Sequence, residues 1–277
     1  MTNNDALNID TASAANLQIA DALSPSELAQ WCDDYLQASQ FKDYCPNGLQ
    51  VDADRPIRHI ITGVTACEAL IDAAIEQQAD AILVHHGYFW KGEPQSLVGM
   101  KGRRIRKLMQ NGISLLAYHL PLDAHPEIGN NAVLAQSLGL QVTGALYPHE
   151  QYPVGNITTC QPISSAELQA RIQQVLKRAP LVIHGDDLGA ERVLKKIGIC
   201  TGGAQDMLEQ AAEMGCDAYI SGEISERTTH SARELGIDYF ACGHHATERG
   251  GIQALGVLIQ QQIPSLKVTF IDIDNPA

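Results

Sequence analysis

Positive charge is scarce in this sequence: 19 lysines and arginines stand against 32 aspartates and glutamates, a formal net charge of −13. A sequence-independent grip on nucleic acid relies on neutralising phosphates, so this balance argues against one. It leaves room for a small nucleotide in a local pocket. Paired cysteines are missing too. The seven present (Cys32, Cys45, Cys67, Cys160, Cys200, Cys216 and Cys242) form an odd set with no C-x-x-C spacing, a pattern of reduced, mostly buried thiols in a cytoplasmic protein. No apolar run approaches the ~18 residues of a membrane span, so no membrane partner is expected. Residues 1–23 contain neither lysine nor arginine and no apolar core. That excludes a signal peptide, argues against a transit peptide, and predicts a disordered tail.

Length, by contrast, is sufficient. A chain of 277 residues buries roughly 75% of its unfolded surface and needs neither disulfides nor structural zinc to fold. Ser24-Pro25-Ser26-Glu27 is a well-formed helix start, with Ser24 as N-cap and Glu27 closing a capping box. Strands are predicted over 57–64, 81–85 and 113–118, with helices over 66–78, 102–110 and 128–138. This βαβαβα rhythm makes a parallel sheet covered by helices. After an irregular, proline-bearing stretch, helices are predicted over 164–178, 204–214, 225–235 and 247–261. Strands are predicted near 181–184, 193–200, 217–221, 237–242 and 267–272. The expected organisation is an α/β fold of two duplicated half-domains, 24–139 and 163–277, joined by a connection over 140–162. Sheets covered by helices would leave a site between the halves.

The duplication is visible in the residues. An offset of 137 pairs Asp80 with Asp217, Ala81 with Ala218, Ala74 with Ala211 and Glu76 with Glu213, and sets His86 opposite Glu223. One unit further on, His119-Leu-Pro-Leu-Asp123 has a counterpart in His244-His-Ala-Thr-Glu248. Both read His-x-x-x-carboxylate and both follow a buried strand.

Ligands of open α/β sheets collect beyond the carboxyl ends of strands. Leu83-Val84-His85-His86-Gly87 closes such a strand. Neighbouring side chains of an ordered strand point to opposite faces, so His85 and His86 are expected to serve one site only where Gly87 releases the pleat. His244 and Glu248, four residues apart, share a helical face. With Asp123 they make five ligand-type residues at strand ends: His85, His86, Asp123, His244 and Glu248. Imidazoles and carboxylates without thiolate suit Zn, Fe, Mn, Co or Ni. Five ligands exceed what one open ion needs, and two divalent ions sharing Glu248 fit better. Such a pair serves metal-assisted hydrolysis.

These residues resemble the Nif-three-like dinuclear metal-centre family. The resemblance runs from Ser24 to Ala277 and rests on Pro46-Asn-Gly-Leu-Gln50, His85-His-Gly-Tyr-Phe-Trp90, His119-Leu-Pro-Leu-Asp123, Ser221-Gly-Glu223 and Gly243-His-His-Ala-Thr-Glu-Arg-Gly-Gly251. It implies two metal ions per subunit held by His85, His86, Asp123, His244 and a bridging Glu248. It also implies a toroidal homohexamer and a label as a homologue of GTP cyclohydrolase type 2. Longer relatives carry a domain inserted between the halves, for which this chain has no room.

His119 is expected to ligate, to orient a ligand or to carry a proton, with orienting favoured, and Glu223 to play a similar part or cap a helix. His245 should face away from the metals, and His125 reads as a solvated loop residue. Phe89 and Trp90 suit packing better than stacking on a base. The basic run Lys101–Lys107 reads as a solvated helix face, and Gly202-Gly203 is too short for a phosphate loop. The expected function is a metal-dependent hydrolase acting on a nucleotide or related heterocycle. Its rival is a metal-binding or partner-binding regulatory protein without turnover.

Overall fold

A computed structural model describes residues 22–277, and its first helix begins at the capping signal. Ser24 Oγ accepts from Glu27 N at 3.2 Å, and the Glu27 carboxylate accepts from Ser24 N at 2.8 Å. Helix α1 (Pro25–Leu36) follows. The expected tail lies outside the described residues except at its end, where Leu23 is buried and bridges to Ile57.

The chain continues through β1 (Gly48–Val51), β2 (His59–Thr65), α2 (Glu68–Glu76), β3 (Ala81–His86), α3 (Gly99–Gln110), β4 (Ser114–Ala117), α4 (Leu120–Ala124) and α5 (Asn130–Ser137). Next come β5 (Gln141–Ala145), β6 (Asn156–Ser164), α6 (Ser165–Leu176), β7 (Leu181–Ile183), β8 (Val193–Cys200), α7 (Leu208–Glu213) and β9 (Ala218–Ser221). The last elements are α8 (Glu226–Leu235), β10 (Asp238–Ala241), α9 (His244–Thr247), α10 (Arg249–Gln262) and β11 (Lys267–Phe270). Among the described residues, no helix is long and apolar enough to cross a membrane.

Two sheets result, ordered β1-β4-β3-β2-β11 and β5-β6-β8-β9-β10-β7. The inner strands β2, β3 and β4 run parallel, as do β8, β9 and β10. Each trio carries an antiparallel edge strand beside its third member, β1 on β4 and β7 on β10. Inner strands are covered on both faces, which is why they read as continuous apolar runs. Ile60, Leu83 and Leu116 pack under α1 and α10, while Ile61, Ile82 and Leu115 pack on the other face with Leu70 and Leu108. Burying each such side chain contributes about 1.5–3 kcal/mol.

The two trios share register. Ile60 faces Ala81 in β2–β3, and Ile197 faces Ala218 in β8–β9, both residues advancing by 137. The paired aspartates do the same job. Asp80 Oδ2 accepts from Arg58 N and His59 N, and Asp217 Oδ2 accepts from Lys195 N and Lys196 N, all between 2.8 and 3.0 Å. Each carboxylate locks the start of its own strand to the strand before it.

Two expectations need correcting. The stretch 140–162 is not merely a connection: it supplies β5 and the greater part of β6, which extend the second sheet, β6 antiparallel to β8 and β5 antiparallel to β6. The chain also does not finish in its second half, because β11 returns to pair with β2 of the first sheet.

Candidate metal centre

The carboxyl ends of the two trios converge on one place. From the first sheet come His85 and His86 at the end of β3, and His119 and Asp123 on the turn and short helix after β4. From the second come Gly202 after β8, Glu223 after β9, and His244 and Glu248 around α9. The five ligand-type residues fall into two groups, His86, His244 and Glu248 in one and His85, Asp123 and Glu248 in the other. Within each group the ligand atoms lie within 4.8 Å of one another. Glu248 belongs to both. Its Oε2 is 3.3 Å from His86 Nε2 and 3.2 Å from His244 Nε2, and its Oε1 is 3.6 Å from His85 Nε2. Asp123 Oδ1 lies 3.5 Å from His85 Nε2.

His85 and His86 meet by a different route from the one expected. β3 stays in register through His86, opposite Thr65, so the pleat is not released before it. Side chains of a strand lean along its direction, and at the sheet's edge the two rings converge beyond the last residue, with centroids 4.5 Å apart. Gly87 is needed for space: a Cβ there would strike the Gln50 amide and Ala117 Cβ. That amide in turn accepts from Tyr88 N at 2.7 Å.

Each histidine is oriented through Nδ1, which leaves Nε2 to the cluster. His85 Nδ1 lies 2.9 Å from the Tyr118 carbonyl, His86 Nδ1 3.3 Å from Thr65 Oγ1, and His244 Nδ1 2.7 Å from Glu223 Oε1. Asp123 accepts from Asn130 Nδ2 at 2.8 Å. Asn131 ties the Asp123 backbone to Thr201 of the second half. Partners of this kind fix ring orientation in metal sites.

Burial opposes the charge on His85, yet Asp123 and Glu248 outweigh it and hold its pKa up at about 9. His244 is likewise opposed by burial and held up at about 9 by Glu248 and Glu223. His86 is pushed down to about 3 by burial and by the neighbouring His85. Burial works against ionised Glu248, but His85 and His244 keep its carboxyl well below the usual range, while burial raises Asp123. His85 Nε2 and Glu248 Oε2 are both buried without a hydrogen-bond partner. Buried polar atoms are rarely left so. Unpartnered buried polar atoms on an imidazole and on the shared carboxylate fit a cation, and the donor set suits a divalent transition metal.

Glu248 and His244 do come together as their spacing predicts, although α9 ends before Glu248 and α10 begins after it. Glu223 takes its orienting role beside His244. His245 points away, to Asp272 Oδ1 at 2.8 Å. His125 stacks on Tyr35. Trp90 sets its ring edgewise to His119 at 4.9 Å, so it lines the site, whereas Phe89 joins the core. In the basic run Lys107 pairs with Asp72 and Glu68 of α2, and Lys101 with Glu93. Gly202 is no anion cradle: with φ at +69° it lets the backbone approach Glu248 where a Cβ would collide. Asp43, Thr65, Asn130, Asn131 and Thr201 were not singled out from sequence. Asp43, Thr65 and Thr201 act on residues far away in the chain, and only the Asn130-Asn131 pair at a helix start, close to Asp123, carried any local signal.

Known proteins match this chain over most of its length. The model of the Duf34/NIF3 (NGG1p interacting factor 3) family matches residues 24–276. A Vibrio cholerae protein named GTP cyclohydrolase 1 type 2 homolog is 56% identical over 250 residues, covering 90% of this chain and 98% of that protein. A Pseudomonas aeruginosa protein of the same name is 49% identical over 257 residues, covering 92% and 100%. Among solved structures, protein ybgI, described as of unknown function, matches with TM-score 0.86 and 48% identity over 92% of this chain and 100% of its own. TTHA1606 from Thermus thermophilus matches with TM-score 0.82 and 32% identity, over 92% and 100%.

Proposed function

The chain belongs to the Duf34/NIF3 family, and from that premise we propose that it is a metal-dependent hydrolase with two divalent ions per subunit, acting on a nucleotide or related heterocycle. The observation that carries this reading is the shared carboxylate. Glu248 stands between two three-residue groups and keeps an orphaned oxygen in the direction the imidazoles face. His86 and His244 with Glu248 would hold one ion; His85 and Asp123 with Glu248 would hold the other. Ions so held polarise a substrate oxygen and activate water at neutral pH.

The chain's own residues supply the rest. Glu223, the Tyr118 carbonyl and Thr65 aim the three imidazoles. Trp90 walls the site and leaves a flat aromatic edge beside His119. His119 stands 5.1 Å from the His85 ring and 5.8 Å from that of His86, centroid to centroid, where it can move a proton for the reaction. The relatives' name makes GTP the first substrate to try. In keeping with the family resemblance, we further propose a cytoplasmic toroidal homohexamer.

The test is turnover. Metal-replete protein is offered GTP and a panel of nucleotides and heterocycles. Hydrolysis should vanish with chelator and return with a divalent ion. His119→Ala should keep its metal and lose roughly 10²–10⁴-fold in rate, the usual worth of a proton-transfer group. No turnover of any panel member, together with metal-dependent capture of a macromolecular partner, would favour the regulatory alternative.

A further inference from the structure

His119 is gripped by a loop that no motif reading connects to it. Its Nδ1 lies 2.7 Å from Asp43 Oδ1, across 76 residues of sequence. Its backbone N–H donates to Asn47 Oδ1 at 2.8 Å, and the next N–H, of Leu120, donates to Asp43 Oδ2 at 2.9 Å. Asp43 is buried, its side chain 2% exposed, and among the described residues it forms no ion pair with lysine or arginine.

Donors surround both oxygens of Asp43. Oδ1 accepts from Tyr44 N at 2.6 Å and faces His119 Nδ1; Oδ2 accepts from Leu120 N and, at 2.9 Å, from Asn47 Nδ2. An ionised carboxylate offers acceptors only. Its neighbour on His119 must therefore be Nδ1–H, which leaves the lone pair on Nε2. A ring nitrogen of His119 lies within 4.8 Å of the ligand nitrogens of His85 and His86, and Asp43 holds Nδ1.

We propose that Asp43 is the positioning residue of His119, fixing its ring and its Nδ1–H form so that Nε2 faces the cluster with a free lone pair. The role this gives His119, accepting a proton or a hydrogen bond at Nε2, rests on the hydrolase reading. The tautomer itself does not.

The variant Asp43→Asn shows why a carboxylate is required. An amide nitrogen in the Oδ2 place would meet two donors, Leu120 N and Asn47 Nδ2, and Asn47 cannot turn because its Oδ1 accepts from His119 N. In the Oδ1 place it would meet Tyr44 N and His119 Nδ1, and the imidazole can adapt by moving its proton to Nε2. Asp43→Asn should therefore switch the His119 tautomer.

The experiment is a two-bond ¹⁵N–¹H correlation spectrum of the full chain, loaded with zinc and labelled on its histidine rings. His119 is assigned by the signal that disappears in His119→Gln. Wild type should show His119 in the Nδ1–H form. In Asp43→Asn that form should be lost or strongly reduced, with zinc content and the His85, His86 and His244 signals unchanged. Wild-type His119 found as Nε2–H, or an Nδ1–H signal that survives in Asp43→Asn, would overturn the proposal. Should Asp43→Asn not fold, the wild-type spectrum decides alone. A protein without turnover on the panel but with the expected tautomer switch would defeat the hydrolase reading and leave this one standing.

Discussion

At the residue scale, Glu248 organises the site and protons compete for it. In the metal-free chain His85 and His244 are held up at about 9 by the carboxylates around them, so at neutral pH both carry protons that an ion must displace. Protons bound only without metal oppose binding, so affinity rises with pH up to about 9 and falls as pH drops. The slope should approach roughly tenfold per pH unit for each proton displaced. Competition titration with a chromophoric zinc chelator at several pH values measures it; an affinity flat across neutral pH would show that neither histidine exchanges a proton for metal. The five ligand-type residues were legible in the sequence because each sits at or after the carboxyl end of a parallel strand, in a short local pattern. Asp43 was not, since its meaning depends on His119, 76 residues away. Gly202 was noticed for the wrong reason, because a glycine pair before a helix looks the same whether it admits an anion or a neighbouring carboxylate.

At the element scale, α9 is a single turn held from two sides. Glu223, after β9, grips the candidate ligand His244 itself. Asp272, beyond β11, grips the residues flanking the ligands, His245 at 2.8 Å and Arg249 at 2.9 Å. Glu223→Gln should lower zinc affinity by roughly 10–100-fold, as expected for a carboxylate that orients a ligand histidine. Asp272→Asn acts one step further out, on His245 and Arg249 rather than on His244 itself, so the loss should be clearly smaller. Isothermal titration of both variants checks the order; an equal or larger loss in Asp272→Asn would refute it. Elements with strong periodicity were readable, and the parallel trios came out with their shared offset. The strands over 141–145 and 156–164 were not. β5 is an edge strand with four of five residues exposed, so it shows no apolar run. β6 carries Pro162 inside an irregular stretch between Thr159 and Ile163, where a strand tolerates proline. Proline and glycine there read as a connection.

At the scale of the whole molecule, the candidate site lies at the carboxyl ends of two similar sets of parallel strands, and the core does not depend on it. Ile60, Leu83, Ile197 and Ile220 are fully buried away from the cluster, and both sheets are packed on both faces. The chelated protein should therefore keep its far-ultraviolet circular dichroism, unlike a zinc-finger module that unfolds without its ion. Collapse of the signal on chelation would make the metals structural. The return of β11 to the first sheet escaped sequence reading, because no local pattern says which sheet a final strand joins. It also means that the halves are laced together rather than strung in series. The account's central claim is that one carboxylate from the second half joins two ions to ligands from both halves. Elemental analysis of protein prepared without chelator, wild type beside Glu248→Gln and Asp123→Asn, tests this most directly. Wild type should approach two ions per chain, Glu248→Gln should lose both, and Asp123→Asn should lose chiefly one. A single tightly held ion in wild type, retained in Glu248→Gln, would contradict the account.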